Sequence, residues 1–190
     1  MELIEYIQLQ VCQDIQELDL KITRGQYATQ NFDLIINTPV SDQLLLRAAF
    51  NDHESDGYMY NLFLDRNDAN GRDESTYRIK MRWLPSNRWV VDVSLANTEV
   101  DNGYDTFSLD NTRVTLSDEP GFDRQKSRYA SIKSKWLGQN YEITTILGAA
   151  NSNIDYGYDE DWTFTGIHPF GYTSTDRYLR ERKTRSAELR

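Results

Sequence analysis

Cysteine is nearly absent: Cys12 stands alone, which excludes an internal disulfide framework and a cysteine-built metal site. Histidine is almost as scarce. His53 and His168 are the only two, both expected in loops, where a histidine with no partner cluster is ordinarily a surface residue and not a ligand. No stretch approaches the roughly 18 apolar residues that a transmembrane helix requires. The first residues lack the basic start, apolar run and small-residue cleavage site of a signal peptide. For an exported protein this points to a truncated chain, and otherwise it weighs against export. Basic charge is in the minority, 21 Lys and Arg against 30 Asp and Glu for a net charge of −9, so no nucleic-acid partner is expected. G-x-S-x-G, a phosphate-cradling glycine loop and H-E-x-x-H are all missing. The stretch from Asp65 to Gly71 has the flavour of a calcium loop but fails the EF-hand pattern, because Arg66 takes the first ligand position and Tyr77 the place of the bidentate Glu. Carboxylates abound without any spacing that singles out a catalytic pair. The expectation is a non-enzyme, with no catalytic residue, metal ligand or cofactor.

What the sequence does have is alternation. At 190 residues one domain with a core is possible. A mean hydropathy of −0.71 suits a soluble protein and equally a transmembrane β-barrel, whose strands are apolar on one side only. Period-2 runs mark strands with one apolar face. Leu18, Leu20 and Ile22 form the first, and Ala28, Phe32, Leu34 and Ile36 the second, with a hairpin or a bend at Gly25. Leu44, Leu46, Ala48 and Phe50 follow. Tyr77, Ile79, Met81 and Trp83 alternate with Arg78, Lys80 and Arg82. Trp89, Val91, Val93 and Leu95 come next, then Ala130, Ile132 and Trp136 opposite Lys133 and Lys135. Tyr141, Ile143, Thr145 and Leu147 make the seventh run, and a last strand is expected to begin near Arg182. A helix somewhere in residues 1–17 is the one competing element. The expected fold is all-β, an antiparallel up-and-down meander of about eight strands.

The connections alternate too. Three are tight, starting at Pro39, Pro85 and Gly138, a spacing of about 46 and about 53 residues. Long connections over 51–75, 101–127 and 152–181 lie between and after them, each opening on a Gly-Tyr element: Gly57-Tyr58, Gly103-Tyr104 and Gly157-Tyr158. Short turns at one end and long loops at the other is the layout of an outer-membrane barrel. Trp83, Trp89, Trp136 and Tyr141 flank two of the tight turns on the apolar parity. They suit a membrane–water girdle, although the rim of a soluble β-sandwich would use the same side chains. Lys80, Arg82, Lys133 and Lys135 would face a watery lumen, or simply be a solvated sheet face.

Several short matches, in order, resemble one family. Tyr27 to Asp33, the turn from Pro39 to Leu44, Arg47 to Phe50, Asp56-Gly57-Tyr58, Asn70 to Glu74 and Lys80 to Pro85 look like the early barrel of TonB-dependent receptors. The likeness continues less distinctly through Asp101 to Asp105 and the strand pair around Gly138. It covers residues 18–190, a partial receptor barrel, and leaves 1–17 as an unmatched N-terminal segment. The resemblance implies a segment of a barrel of roughly 22 strands closed by a plug. It also implies location in the cell outer membrane, contact with outer-membrane lipid, and energy from the TonB complex through the missing plug. The small-molecule ligand would be scarce, such as a ferric siderophore or cobalamin. No plug, TonB-contacting box or closing aromatic strand is visible. Loop candidates for ligand capture are Tyr104, Arg113, Tyr158, Trp162, Phe164, Tyr172 and Arg177, rings for contact area and arginines for an anionic chelate. The alternative is a soluble β-sandwich or carbohydrate-binding module with long aromatic loops. The fate of the apolar face separates the two: a sandwich buries Leu34, Leu46, Ile79 and Val91 under a second sheet, whereas a barrel segment leaves them bare.

Overall fold

The computed structural model describes residues 15–190, so Cys12 and most of the segment considered for a helix lie outside the described residues. Ten strands form, in chain order β1 (Glu17–Arg24), β2 (Gln30–Ser41), β3 (Leu44–Ser55), β4 (Tyr60–Asn61), β5 (Arg72–Ser86), β6 (Trp89–Gly103), β7 (Val114–Thr115), β8 (Phe122–Leu137), β9 (Glu142–Asp159) and β10 (Thr175–Leu189). Eight make one antiparallel meander in the order β1-β2-β3-β5-β6-β8-β9-β10. β4 and β7 pair in parallel within the loops. The main sheet is open, with β1 and β10 as its edges.

Residues paired across strands share a face, so the register tests the alternation directly. Ile36, Ala48, Ile79, Leu95, Ala130 and Ala149 form one continuous row. Leu46, Met81, Val93, Ile132, Leu147 and Ala187 form the next. The expected apolar face is therefore one band across the sheet. Nothing covers it among the described residues: Leu18 is 74 % exposed and Ile79, Leu95, Ile132 and Leu147 are all close to half exposed. The opposite face is polar yet better covered. Arg78, Lys80 and Arg82 are partly buried while their neighbours Tyr77, Ile79 and Trp83 are exposed. A sheet curling round its polar face produces this inversion.

The band also runs obliquely. One row of paired residues starts apolar at Ile22 and Phe32, then passes through Asp52, Ser75, Glu99, Lys126 and Asn153 to Glu181. At β10 two of the three apolar residues of this face, Ala187 and Leu189, sit near the tight-turn end instead, and Leu179 stands apart towards the loops. Strands tilted against a flat apolar slab give such a drift, and barrels require that tilt.

The strands are longer than alternation suggested, and the long connections correspondingly shorter: 56–71, 104–121 and 160–174. The apolar periodicity stops at the edge of the band, but antiparallel pairing continues beyond it with polar residues, from Thr98 to Gly103 and from Asn151 to Asp159. His53 consequently lies in β3 and not in a loop, and the last strand begins at Thr175. The connection at Gly25 is a hairpin; Ala28, read as strand, has a φ of 52° and belongs to its turn. Pro39 and Pro85 fall beside register shifts at the turn ends, where a missing N–H costs no ladder bond.

Candidate functional site at the long-loop end

The four expected girdle residues gather at the tight-turn edge of the band. Trp83 and Trp89 lie 6.0 Å apart and Trp136 and Tyr141 5.5 Å apart, with Trp89 paired to Trp136 across β6 and β8. Trp89 Nε1 donates to Ser134 Oγ at 2.9 Å. Each ring is about half exposed.

At the other end the three long loops and the Gly25 hairpin form one packed unit, and it holds most of the buried residues described. Of the buried apolar residues, Met59 and Ala69 are here and only Leu45 is in the sheet. Local sequence explains how the loops meet. Asn70 accepts the N–H groups of Tyr58 and Met59 through Oδ1, both at 3.0 Å, and Gly57 at φ 81° lets the chain turn against it; a Cβ there would meet the Asn70 carbonyl oxygen at 2.5 Å. Asn61 donates to Asp105 Oδ2 at 2.9 Å and to the Ser117 carbonyl at 2.8 Å. Thr115 Oγ1 donates to Asp105 Oδ1 at 2.7 Å. Asp118 N–H reaches the Thr163 carbonyl, linking the third loop to the second. Thr163 Oγ1 contacts His168 Nε2 at 3.0 Å, but that hydroxyl is fully buried and out of reach of a substrate.

Two carboxylates are enclosed in this unit. Asp105 and Asp159 are 5 % and 6 % exposed, and burial pushes both above the ordinary carboxylate value. The bonds from Thr115 and Asn61 oppose the shift at Asp105, and the Ser117 hydroxyl opposes it at Asp159. Asp159 Oδ2 and Ser117 Oγ nevertheless lack a partner in good hydrogen-bond geometry.

On the polar face beneath, rings form a ladder: Tyr178 to Tyr156 at 6.1 Å, Tyr156 to Tyr104 at 4.7 Å, Tyr104 to Phe107 at 6.3 Å, and Phe107 stacked on Trp162 at 4.8 Å. Tyr158 joins at 5.8 Å from Tyr156. Asp176 accepts from the Tyr178 hydroxyl at 2.8 Å and, as a nearby anion, pushes that phenol up to about 12. Burial raises Tyr156 as well.

The structure thus brings Tyr104, Tyr158 and Trp162 into one ring ladder and leaves the other candidates elsewhere. Phe164 stacks on Phe63 at 4.6 Å, and Tyr172 packs edge-on to His168. Arg113 donates to the Tyr27 hydroxyl at 2.7 Å, tying the Gly25 hairpin to the second loop. Arg177 is held by Asp155 on the opposite, apolar-parity face. Tyr156, Tyr178 and Phe107 are ladder members outside the loop candidates that the sequence offers. The signal for Tyr156 and Tyr178 is register, and for Phe107 the packing of the second loop on the third; one sequence displays neither. Among the described residues no group of His, Cys, Asp and Glu could hold a metal ion; Asp65 accepts from Tyr60 and Asp68 from Arg66. No family model matches this chain, and no solved structure matches it.

Proposed function

We propose that this chain is part of the wall of an outer-membrane receptor of the TonB-dependent kind, capturing a small, scarce ligand such as a ferric siderophore or cobalamin at its long-loop end. The observation that carries the reading is the uncovered apolar band, continuous across eight strands and oblique to their register. A β-sandwich or carbohydrate-binding module needs a second sheet on that band. Among the described residues the only other sheet is the two-residue pair β4–β7, in the loops. Several hundred Å² of contiguous exposed apolar surface is rare on a soluble monomer. Lipid against the band and water against the polar face would suit both surfaces.

In this reading the packed loops are the rim and the ring ladder lines the mouth of the lumen, where flat rings offer contact area at little conformational cost. Asp123 and Asp176 flank the ladder on the same face. Release into the lumen would depend on a plug and the TonB complex, supplied outside residues 15–190. The test is tryptophan fluorescence of the chain folded into vesicles of brominated phosphatidylcholine. Trp83, Trp89 and Trp136 should be quenched at the bilayer edge while Trp162 is spared. A monomeric, cooperatively folded chain in plain buffer with no quenching in vesicles would overturn the reading.

A further inference from the structure

We propose that the apolar-parity face of β6, β8, β9 and β10 holds a phospholipid of net negative headgroup, its phosphate between Arg128 and Arg185 and an acyl chain lying over Leu95, Ala130 and Ala149. The proposal rests on the membrane reading above and adds a specific partner to it.

A groove of about 690 Å³ lies on this face. Leu95, Ala130 and Ala149 are its floor, one row of paired residues in which two alanines leave a trough between larger neighbours. Its upper end is Arg128, set between Asn97 and Asn151 in the next row. A second, polar groove of about 710 Å³ continues from it towards the loops, and Glu99 borders both. From the turn side upwards, the surface passes from apolar to cationic to mixed charge. That is the order an acyl chain, a phosphate and a headgroup would meet.

Charge bookkeeping on this face singles out two arginines. Arg124 pairs with Asp101 at 2.7 Å, Lys126 with Glu99 at 3.7 Å, Lys183 with Glu181 at 2.6 Å and Arg177 with Asp155 at 2.7 Å. Arg128 and Arg185 have no ion pair among the described residues. The register puts Lys183 opposite Asn151, itself opposite Arg128, and Arg185 opposite Ala149. Arg128 and Arg185 are therefore two strands apart and one row offset, roughly 12 Å between backbones from strand spacing. Two arginine side chains span that gap and converge on one phosphate, which their planar forks bind bidentately. The acidic residues nearby are already neutralised, so the local field favours an anion despite the chain's negative total.

The experiment is native mass spectrometry of the full chain released from detergent micelles containing dioleoyl phosphatidylglycerol or dioleoyl phosphatidylcholine. One retained phosphatidylglycerol is expected, with phosphatidylcholine lost. Arg128→Gln and Arg185→Gln should each weaken retention about fivefold. Arg182→Gln, the same charge change on the polar parity of β10, should leave it unaltered. Equal retention of both lipids, or equal loss in the polar-face control, overturns the proposal. Displacement of the lipid by millimolar inorganic phosphate would overturn the acyl-chain part and leave a site for phosphate alone. Brominated-lipid quenching of the same variants keeps the two readings apart: quenching without lipid preference sinks only this site, and no quenching sinks both.

Discussion

At the scale of single residues, the buried carboxylates give the loop unit an unusual pH response. Asp105 and Asp159 are raised by burial, so the fold favours their neutral forms. Between the ordinary carboxylate value of 3.8 and the raised value, the folded state holds protons that the unfolded state has released. Stability therefore falls as pH rises through that window and is flat above it. Acidification from neutrality towards the ordinary carboxylate value should tighten the loops, the reverse of a salt-bridged protein. Hydrogen exchange at Ser117 and Thr163, corrected for the intrinsic pH dependence of exchange, should show protection increasing on acidification. Asp105→Asn, which keeps an acceptor for Thr115, should shrink that increase. Protection that instead grows with pH would mean the carboxylates are stabilised as anions. Asp105 lies in a Gly-Tyr-Asp element that the sequence displays twice, at Gly103-Tyr104-Asp105 and Gly157-Tyr158-Asp159. Its burial is not legible there, because its partner Asn61 comes from the first loop and Thr115 from the far side of its own loop.

At the scale of elements, the legible part of the sequence was the part in contact with one uniform environment. Alternation of Tyr77, Ile79, Met81 and Trp83 against Arg78, Lys80 and Arg82 fixes a strand and both of its faces, because each face has a single character. Beyond Thr98 or Asn151 the apolar-parity face turns polar, with Glu99, Asp101, Asn153 and Asp155, so the apolar stripe ends while backbone pairing continues the strand. The β4–β7 pair is too short to have a period. The ring ladder was invisible for a related reason: Tyr104 and Tyr156 meet because β6 and β9 each pair with β8 in one register, not because of spacing along the chain. A charge scan of adjacent positions tests the faces. Leu147 on the apolar band sits opposite Ile132 and Ala187, while Ile146 on the polar face lies between Lys133 and Glu188, whose charges cancel. In lipid, Leu147→Arg should cost about 2–4 kcal/mol and Ile146→Arg close to nothing. Urea titration of the chain folded in vesicles reads the difference. Equal, small costs would mean that water bathes both faces.

At the scale of the molecule, the unresolved liability is the pair of open edges. Eight strands cannot close a wide barrel, and a long unpaired edge is a template for another strand. β1 runs in the same sense as β9 and opposite to β10. A β1 edge from a second copy can therefore add to β10 in antiparallel fashion with the loops of both copies at one end. Pairing β10 with β10 would put the loops at opposite ends, which a bilayer with all copies inserted in one sense forbids. The oblique band fixes the register of the permitted joint. For the apolar surface to continue, Leu20 must come level with Ala187, which sets Lys21 beside Ser186 on the polar face. In a Cys12→Ser background, a chain with both Lys21→Cys and Ser186→Cys should therefore form disulfide-linked dimers and larger ladders in vesicles. Ser94→Cys, half-buried in the middle of the sheet, should remain monomeric under the same oxidation. Electrophoresis without reductant reads both. Ladders from Ser94→Cys as abundant as those from the edge pair would show that polar faces, not edges, bring the copies together, and the polar face would then be a contact between chains and not the wall of a lumen.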